Sequence, residues 1–161
     1  MSDGGHPSPE PSVHERWLSG NQQYLLLELS RIRKTLADHL ARSQPDPAAS
    51  VASEPPVPPI DASQVARAMP APPALVSLCS VFGLSPFERD VLLLCVGSEL
   101  EPAFRRLCQK ASGSPLPTFQ LALAALGQPH LSALSSSSPL RKAGLIEPTP
   151  GEILTQSPLR L

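Results

Sequence analysis

The chain has 161 residues, with 13 basic and 14 acidic side chains, a formal net charge of -1, and 21 prolines against 9 glycines, 4 phenylalanines, 1 tyrosine and 1 tryptophan. The near-neutral balance excludes a whole-molecule field that would draw the protein onto DNA, RNA or an anionic membrane, so any charged partner surface must be local. The abundance of proline and scarcity of aromatic groups exclude a packed core running the whole length of the chain.

In chain order, residues 1–12, "MSDGGHPSPEPS", are too poor in apolar groups to bury anything, which predicts a disordered tail. The tail has neither a basic n-region nor an apolar h-region, and no apolar run in the chain reaches transmembrane length, so a soluble, cytoplasmic protein with no membrane partner is expected. Residues 13–43 lack proline, and within them Leu18, Leu25, Leu29, Ile32, Leu36 and Leu40 recur at steps of seven, four, three, four and four. That spacing predicts one amphipathic helix with a coiled-coil-like seam. An isolated helix cannot bury such a stripe, so Leu18, Leu25, Leu29, Ile32 and Leu36 become candidates for partner binding or self-association. Residues 44–73 are broken by repeated prolines that remove backbone donors and favour extended conformations, predicting a semi-rigid linker. Its "PPVPP" is also compatible with recognition by an aromatic-lined groove.

From residue 74 the pattern becomes that of a folded domain extending to 161. Leu75, Leu78, Cys79 and Phe82 fall at helical spacing and Gly83 supplies a stop. Ser85, Pro86 and Glu88 then place a serine cap, a proline at the first helical position and a glutamate three residues after the serine, which predicts a capping box. In the helix that follows, Phe87, Val91, Leu94 and Cys95 line one face and Leu92 and Leu93 widen it, leaving Arg89 and Asp90 for the exposed side. Two further short helices are expected, one carrying Phe104, Leu107, Cys108 and Ala111, the other Phe119, Ala122, Leu123 and Leu126. After a serine-rich stretch, "GLIEP" and "EILTQSPLRL" read as short strands joined by "TPG". Compact helices followed by a small hairpin predict a mainly α, winged-helix-like domain with the hairpin as its wing.

Enzyme chemistry finds little footing. The sequence contains no phosphate-binding loop, no H-E-x-x-H and no dinucleotide fingerprint. His6, His14, His39 and His130 fall at no metal-ligand spacing with a cysteine, so no metal and no cofactor are expected. Cys79, Cys95 and Cys108 lie in apolar runs and are odd in number, which predicts reduced, buried thiols rather than disulfides or nucleophiles. For nucleic acid, if the helix before the wing is "LPTFQLALAALG", it carries no basic residue and only Gln120 suits a base edge. The candidate basic patch is Arg105, Arg106 and Lys110 with Arg141 and Lys142, enough for weak phosphate contact.

The stretch "LCSVFGLSPFERDVLLLCVGSELEPAFRRL", together with "SPLRKAGLIE", "SPLRL" and the early "NQQYLLLELSRIRKTL", resembles the N-terminal region of bacterial Cdc48-like AAA+ ATPases, including those encoded with extracellular contractile injection systems. The resemblance implies a first helix and a variant winged-helix domain that precede a motor. No residue here matches the motor's nucleotide-binding positions, so the ATPase activity is not implied for this chain, which is expected to be a fragment or a free-standing copy of the accessory region. The expected function is that of a non-catalytic adaptor whose partner is a protein, either a motor in cis or a remodelled substrate. A winged-helix nucleic-acid-binding regulator is the alternative.

Overall fold

The computed structural model describes residues 10–43, 61–150 and 153–161. Most of the expected tail, the "PPVPP" stretch and Gly151 of the hairpin connector lie outside the described residues. Helix α1 runs over Val13–Ser43. It is opened by a reciprocal cap that falls in the segment read as tail: Ser12 N–H donates to Glu15 Oε2 at 2.7 Å, and Glu15 N–H donates to Ser12 Oγ at 3.2 Å. The Ser12 amide is also the main reason that the Glu15 carboxyl sits below its ordinary pKa.

Helix α2, Ala62–Ala68, occupies part of the region expected to be linker. Asp61 caps it, accepting from Ser63 N–H at 3.1 Å, and Val65 is buried. The helix lies against the first half of α1 at Gly20, where an added Cβ would stand 2.7 Å from Met69 Cγ. Two further contacts tie the proline segment to α1, for Trp17 Nε1 donates to Pro72 O at 3.1 Å and Ala74 N–H donates to Asn21 Oδ1 at 2.7 Å. Residues 61–73 are therefore packed structure and not spacer, a correction to the expected boundary at 74.

Helix α3, Ala74–Phe82, ends at Gly83, whose φ of 65° is the left-handed conformation that glycine adopts without a Cβ penalty. Helix α4, Pro86–Leu100, begins with the full capping box: Glu88 N–H donates to Ser85 Oγ at 3.1 Å and Ser85 N–H to Glu88 Oε2 at 3.0 Å. Such a cap contributes about 1 kcal/mol. Proline also opens α5, Pro102–Ser112, and α7, Pro139–Lys142, where its missing N–H removes one of the donors a first turn leaves unpaired. Between them stand α6, Phe119–Ala125, capped by Thr118, and a 3-10 turn at Leu131–Leu134.

The wing is shorter than expected. Strands β1, Glu147–Pro148, and β2, Leu159–Arg160, pair antiparallel with Glu147 opposite Arg160 and Pro148 opposite Leu159. Thr118 bridges Pro158, and Leu159 N–H donates to Pro117 O at 2.8 Å, so β2 lies between β1 and the residues that lead into α6. Thr155 O accepts from Gln120 N–H at 2.8 Å, and Ile153–Gln156 form a turn instead of the expected strand.

One hydrophobic core joins these elements. Leu29, Ile32 and Leu36 of α1 are at most 1 % exposed and belong to the same cluster as Phe87, Val91 and Leu94 of α4, Phe104 and Cys108 of α5, Phe119 of α6, and Leu140, Ile146 and Leu159. Each such side chain contributes roughly 1.5–3 kcal/mol by leaving water. Helices α4 and α5 approach so closely that a Cβ on Gly97 would lie 2.6 Å from the Phe104 ring. The fold is mainly α, with a long first helix, a winged-helix domain and a small hairpin. That first helix is not isolated, because it supplies one wall of the core.

Candidate functional site

The leucine seam was the first candidate for partner binding, and the fold uses most of it internally. Leu29, Ile32 and Leu36 face the core, Leu25 packs partly against it, and only Leu18 remains exposed. The partner-facing role expected of the seam is thus corrected for its three central residues: their stripe is closed by α4, α5 and α6.

Beside the seam, one edge of α1 meets α4 through ions. The Arg31 guanidinium donates to Asp90 Oδ2 at 3.0 Å and to Glu28 Oε2 at 3.0 Å, and Arg89 donates to Glu28 Oε2 at 2.7 Å and to Tyr24 Oη at 3.1 Å. Two cations and two carboxylates balance here. Arg89 and Asp90, read from the sequence as the exposed side of their helix, are therefore interface residues. Burial raises the pKa of the Tyr24 phenol, and hydrogen bonding by Asp90 holds Arg31 firmly protonated.

The expected basic patch separates into three settings. Arg105 turns back on α4, donating to Ser98 O at 2.6 Å and to Glu99 Oε2 at 3.2 Å. Arg141 caps the 3-10 turn by donating to Leu134 O, and Lys142 is exposed at the end of α7. Arg106 and Lys110 instead line a groove between α5 and α1. Its walls are Ser30, Arg33, Lys34 and Ala37 from α1 and Ala103, Arg106, Leu107 and Lys110 from α5. Both helices present the same i, i+3, i+4, i+7 spacing, which puts the four residues of each on one face. Arg33 and Lys34 were absent from the sequence-based candidates. Their own helical spacing was readable, but the meeting of their face with that of α5 depends on tertiary packing.

Among the described residues the groove lining carries four cations and no carboxylate. Arg33 reaches Glu101 Oε2 at 3.0 Å and Lys34 reaches Asp38 Oδ2 at 2.7 Å, both as exposed pairs outside the walls. Such pairs are held weakly in water. Arg106 and Lys110 take part in no ion pair among the described residues. Between the cations lie Ala37, Ala103 and the half-buried Leu107.

Helix α6 carries no charged residue, whereas α7, which directly precedes the wing, carries Arg141 and Lys142. Phe119, Leu121, Ala122 and Ala125 of α6 are buried, and Gln120 is that helix's one hydrogen-bonding side chain. The thiols give no reactive centre either. Burial pushes Cys108 up to about 11 and Cys95 higher still, and Cys79 is also raised by burial, so all three resist thiolate formation. His130 bonds Ser85 Oγ through Nε2 at 2.8 Å and Ser132 Oγ through Nδ1 at 2.7 Å, and its ring meets Phe87 edge-on at 5.3 Å. This ties the 3-10 turn to the cap of α4. Among the described residues no group of three or more histidine, cysteine or acidic side chains is placed to hold a metal ion, and no helix is long and apolar enough to cross a membrane.

Short helices with a two-stranded wing define a winged-helix class of fold. The chain belongs to the family described as "Winged helix domain, variant", whose model matches residues 60–161. That match begins at α2, in agreement with the packed structure of residues 61–73, and leaves α1 outside it although α1 completes the core. No curated protein and no solved structure matches the chain.

Proposed function

We propose that this chain is a non-catalytic, cytoplasmic protein-interaction module, an adaptor of the kind implied by its resemblance to the N-terminal region of Cdc48-like AAA+ ATPases. It recruits a protein partner or a substrate for remodelling, with a contractile injection system as one setting. The observation that carries this reading is the scarcity of base-reading side chains on the two helices ahead of the wing, α6 and α7. A helix that reads base edges in a major groove presents arginine, lysine, asparagine or glutamine side chains to them. Here α6 spends its bulky residues on the core and offers Gln120 alone, while α7 is a single turn whose Arg141 is committed to Leu134 O, which leaves Lys142 as its one exposed basic side chain.

The alternative, a nucleic-acid-binding regulator, draws on the exposed Arg106, Lys110 and Lys142, none of which lies on α6. The two readings are separated by titrating the full chain with duplex DNA at about 150 mM salt, alongside site-specific crosslinking in the source cell from exposed positions such as Val81. The expected result is no saturable duplex complex and a reproducible protein adduct. A tight, sequence-selective duplex complex that is lost on replacing Arg106, Lys110 and Lys142 by alanine overturns the adaptor reading.

A further inference from the structure

We propose that the groove between α1 and α5 is a docking site for a short acidic segment of a partner protein, one that carries an aliphatic side chain between its carboxylates. The proposal rests on the reading of the chain as a protein-interaction module and names the chemistry of the partner. Its basis is charge complementarity in a molecule whose net charge is only -1. Four cations, Arg33, Lys34, Arg106 and Lys110, converge on one groove from two helices with no acid among the described residues of its walls.

The fold pairs the other charged groups at this part of the molecule with one another, and of the four groove cations it pairs Arg33 with Glu101 and Lys34 with Asp38. Arg31 and Arg89 are matched by Glu28 and Asp90 across the α1–α4 contact, and Arg105 is spent on Ser98 O and Glu99. Among the described residues Arg106 and Lys110 have no such assignment, and their neighbours Arg33 and Lys34 keep solvent-accessible pairs that an incoming carboxylate can displace. Because α5 is anchored by the buried Phe104 and Cys108 and α1 by Ile32 and Leu36, the separation of the cation rows is set before any partner arrives. A partner therefore meets an organised site, which limits the ordering cost of binding.

The lining also selects the class of ligand. Ala37, Ala103 and Leu107 form an aliphatic strip between the cations, suited to a leucine or valine flanked by acids. A nucleic acid strand would find cations for its phosphates here but no aromatic platform on which to stack its bases, whereas the aliphatic strip has a counterpart in a peptide. The carboxylates of a peptide would give the arginines bidentate partners, while the lysines supply steering charge.

The test uses the full chain and a fluorescein-labelled peptide in which a leucine is set between runs of glutamate. Fluorescence anisotropy should show saturable binding that weakens as salt is raised toward about 150 mM. Arg106→Glu with Lys110→Glu should weaken it about tenfold or more, with the thermal unfolding midpoint retained, and Arg33→Glu with Lys34→Glu should do the same from the opposite wall. Arg141→Glu with Lys142→Glu serves as the control and should leave the affinity unchanged. Replacing the peptide's leucine by serine should weaken binding if the aliphatic strip is used. Absence of binding, or equal loss in the control variant, overturns the proposal but leaves the adaptor reading standing as long as duplex DNA is not bound. Tighter binding of an oligothymidylate than of the peptide, with the same dependence on Arg106 and Lys110, makes nucleic acid the occupant and overturns both.

Discussion

The two edges of α1 that flank its buried seam treat charge in opposite ways. Toward α4, Glu28 and Arg31 meet Arg89 and Asp90, and the four charges cancel within hydrogen-bonding distance. Toward α5, Arg33 and Lys34 meet Arg106 and Lys110, and like charges face one another across a groove. Opposite charges in contact reinforce the packing of two helices. Like charges across a gap weaken it modestly, and such an arrangement is compatible with stability only because the seam beneath it is hydrophobic. The difference separates charge that serves the fold from charge that the proposed docking site would use.

The largest test of this contrast removes what the two edges share. Ile32→Asp places a carboxylate in a position that is fully buried and should unfold the domain or cost about 4 kcal/mol or more, read as loss of a cooperative thermal transition. Survival of that transition with an unchanged midpoint would mean that α1 is dispensable to the core and that its two edges need not be compared at all. A smaller effect is expected from Glu28→Ala, which leaves the partly buried Arg89 without its carboxylate. The expected cost is about 1–3 kcal/mol, measured by urea unfolding. The smallest effect belongs to the α5 edge, where Arg33→Ala with Lys34→Ala should change stability by no more than about 0.5 kcal/mol in either direction. If the alanine pair at the groove costs as much as the loss of Glu28, the groove cations are structural and the contrast fails.

The helices of the winged domain were legible because their signals are local. Ser85, Pro86 and Glu88 define the start of α4 within four residues of sequence, and the apolar run after them identifies a helix buried on most sides. Helix α2 escaped detection because its seven residues are too short to show a period and are flanked by prolines, so only packing against Gly20 and the cap from Asp61 reveal it. The seam was read correctly as a stripe in need of a partner. Periodicity says that a face must be covered but not by what, and the cover proved to be α4, α5 and α6 of the same chain. The basic patch failed for the same reason. Neighbours in sequence, Arg105 and Arg106, point into different surroundings, whereas Lys34 and Lys110 come to one groove from widely separated parts of the chain.

The placement of α1 also bears on how the chain folds. Arg31 and Asp90 stand 59 residues apart in sequence, and the core contributions of Leu29, Ile32 and Leu36 join elements that are equally remote. Helical domains generally fold fast because their contacts are local, but this one must close a long loop before its first helix is rewarded. Its folding rate should therefore resemble that of a mixed α/β domain more than that of a simple helical bundle. The cost of closure grows only with the logarithm of loop length, by about 0.6 kcal/mol per doubling. The distance in sequence between α1 and α4 therefore bears more on how fast the core assembles than on how stable it is once assembled.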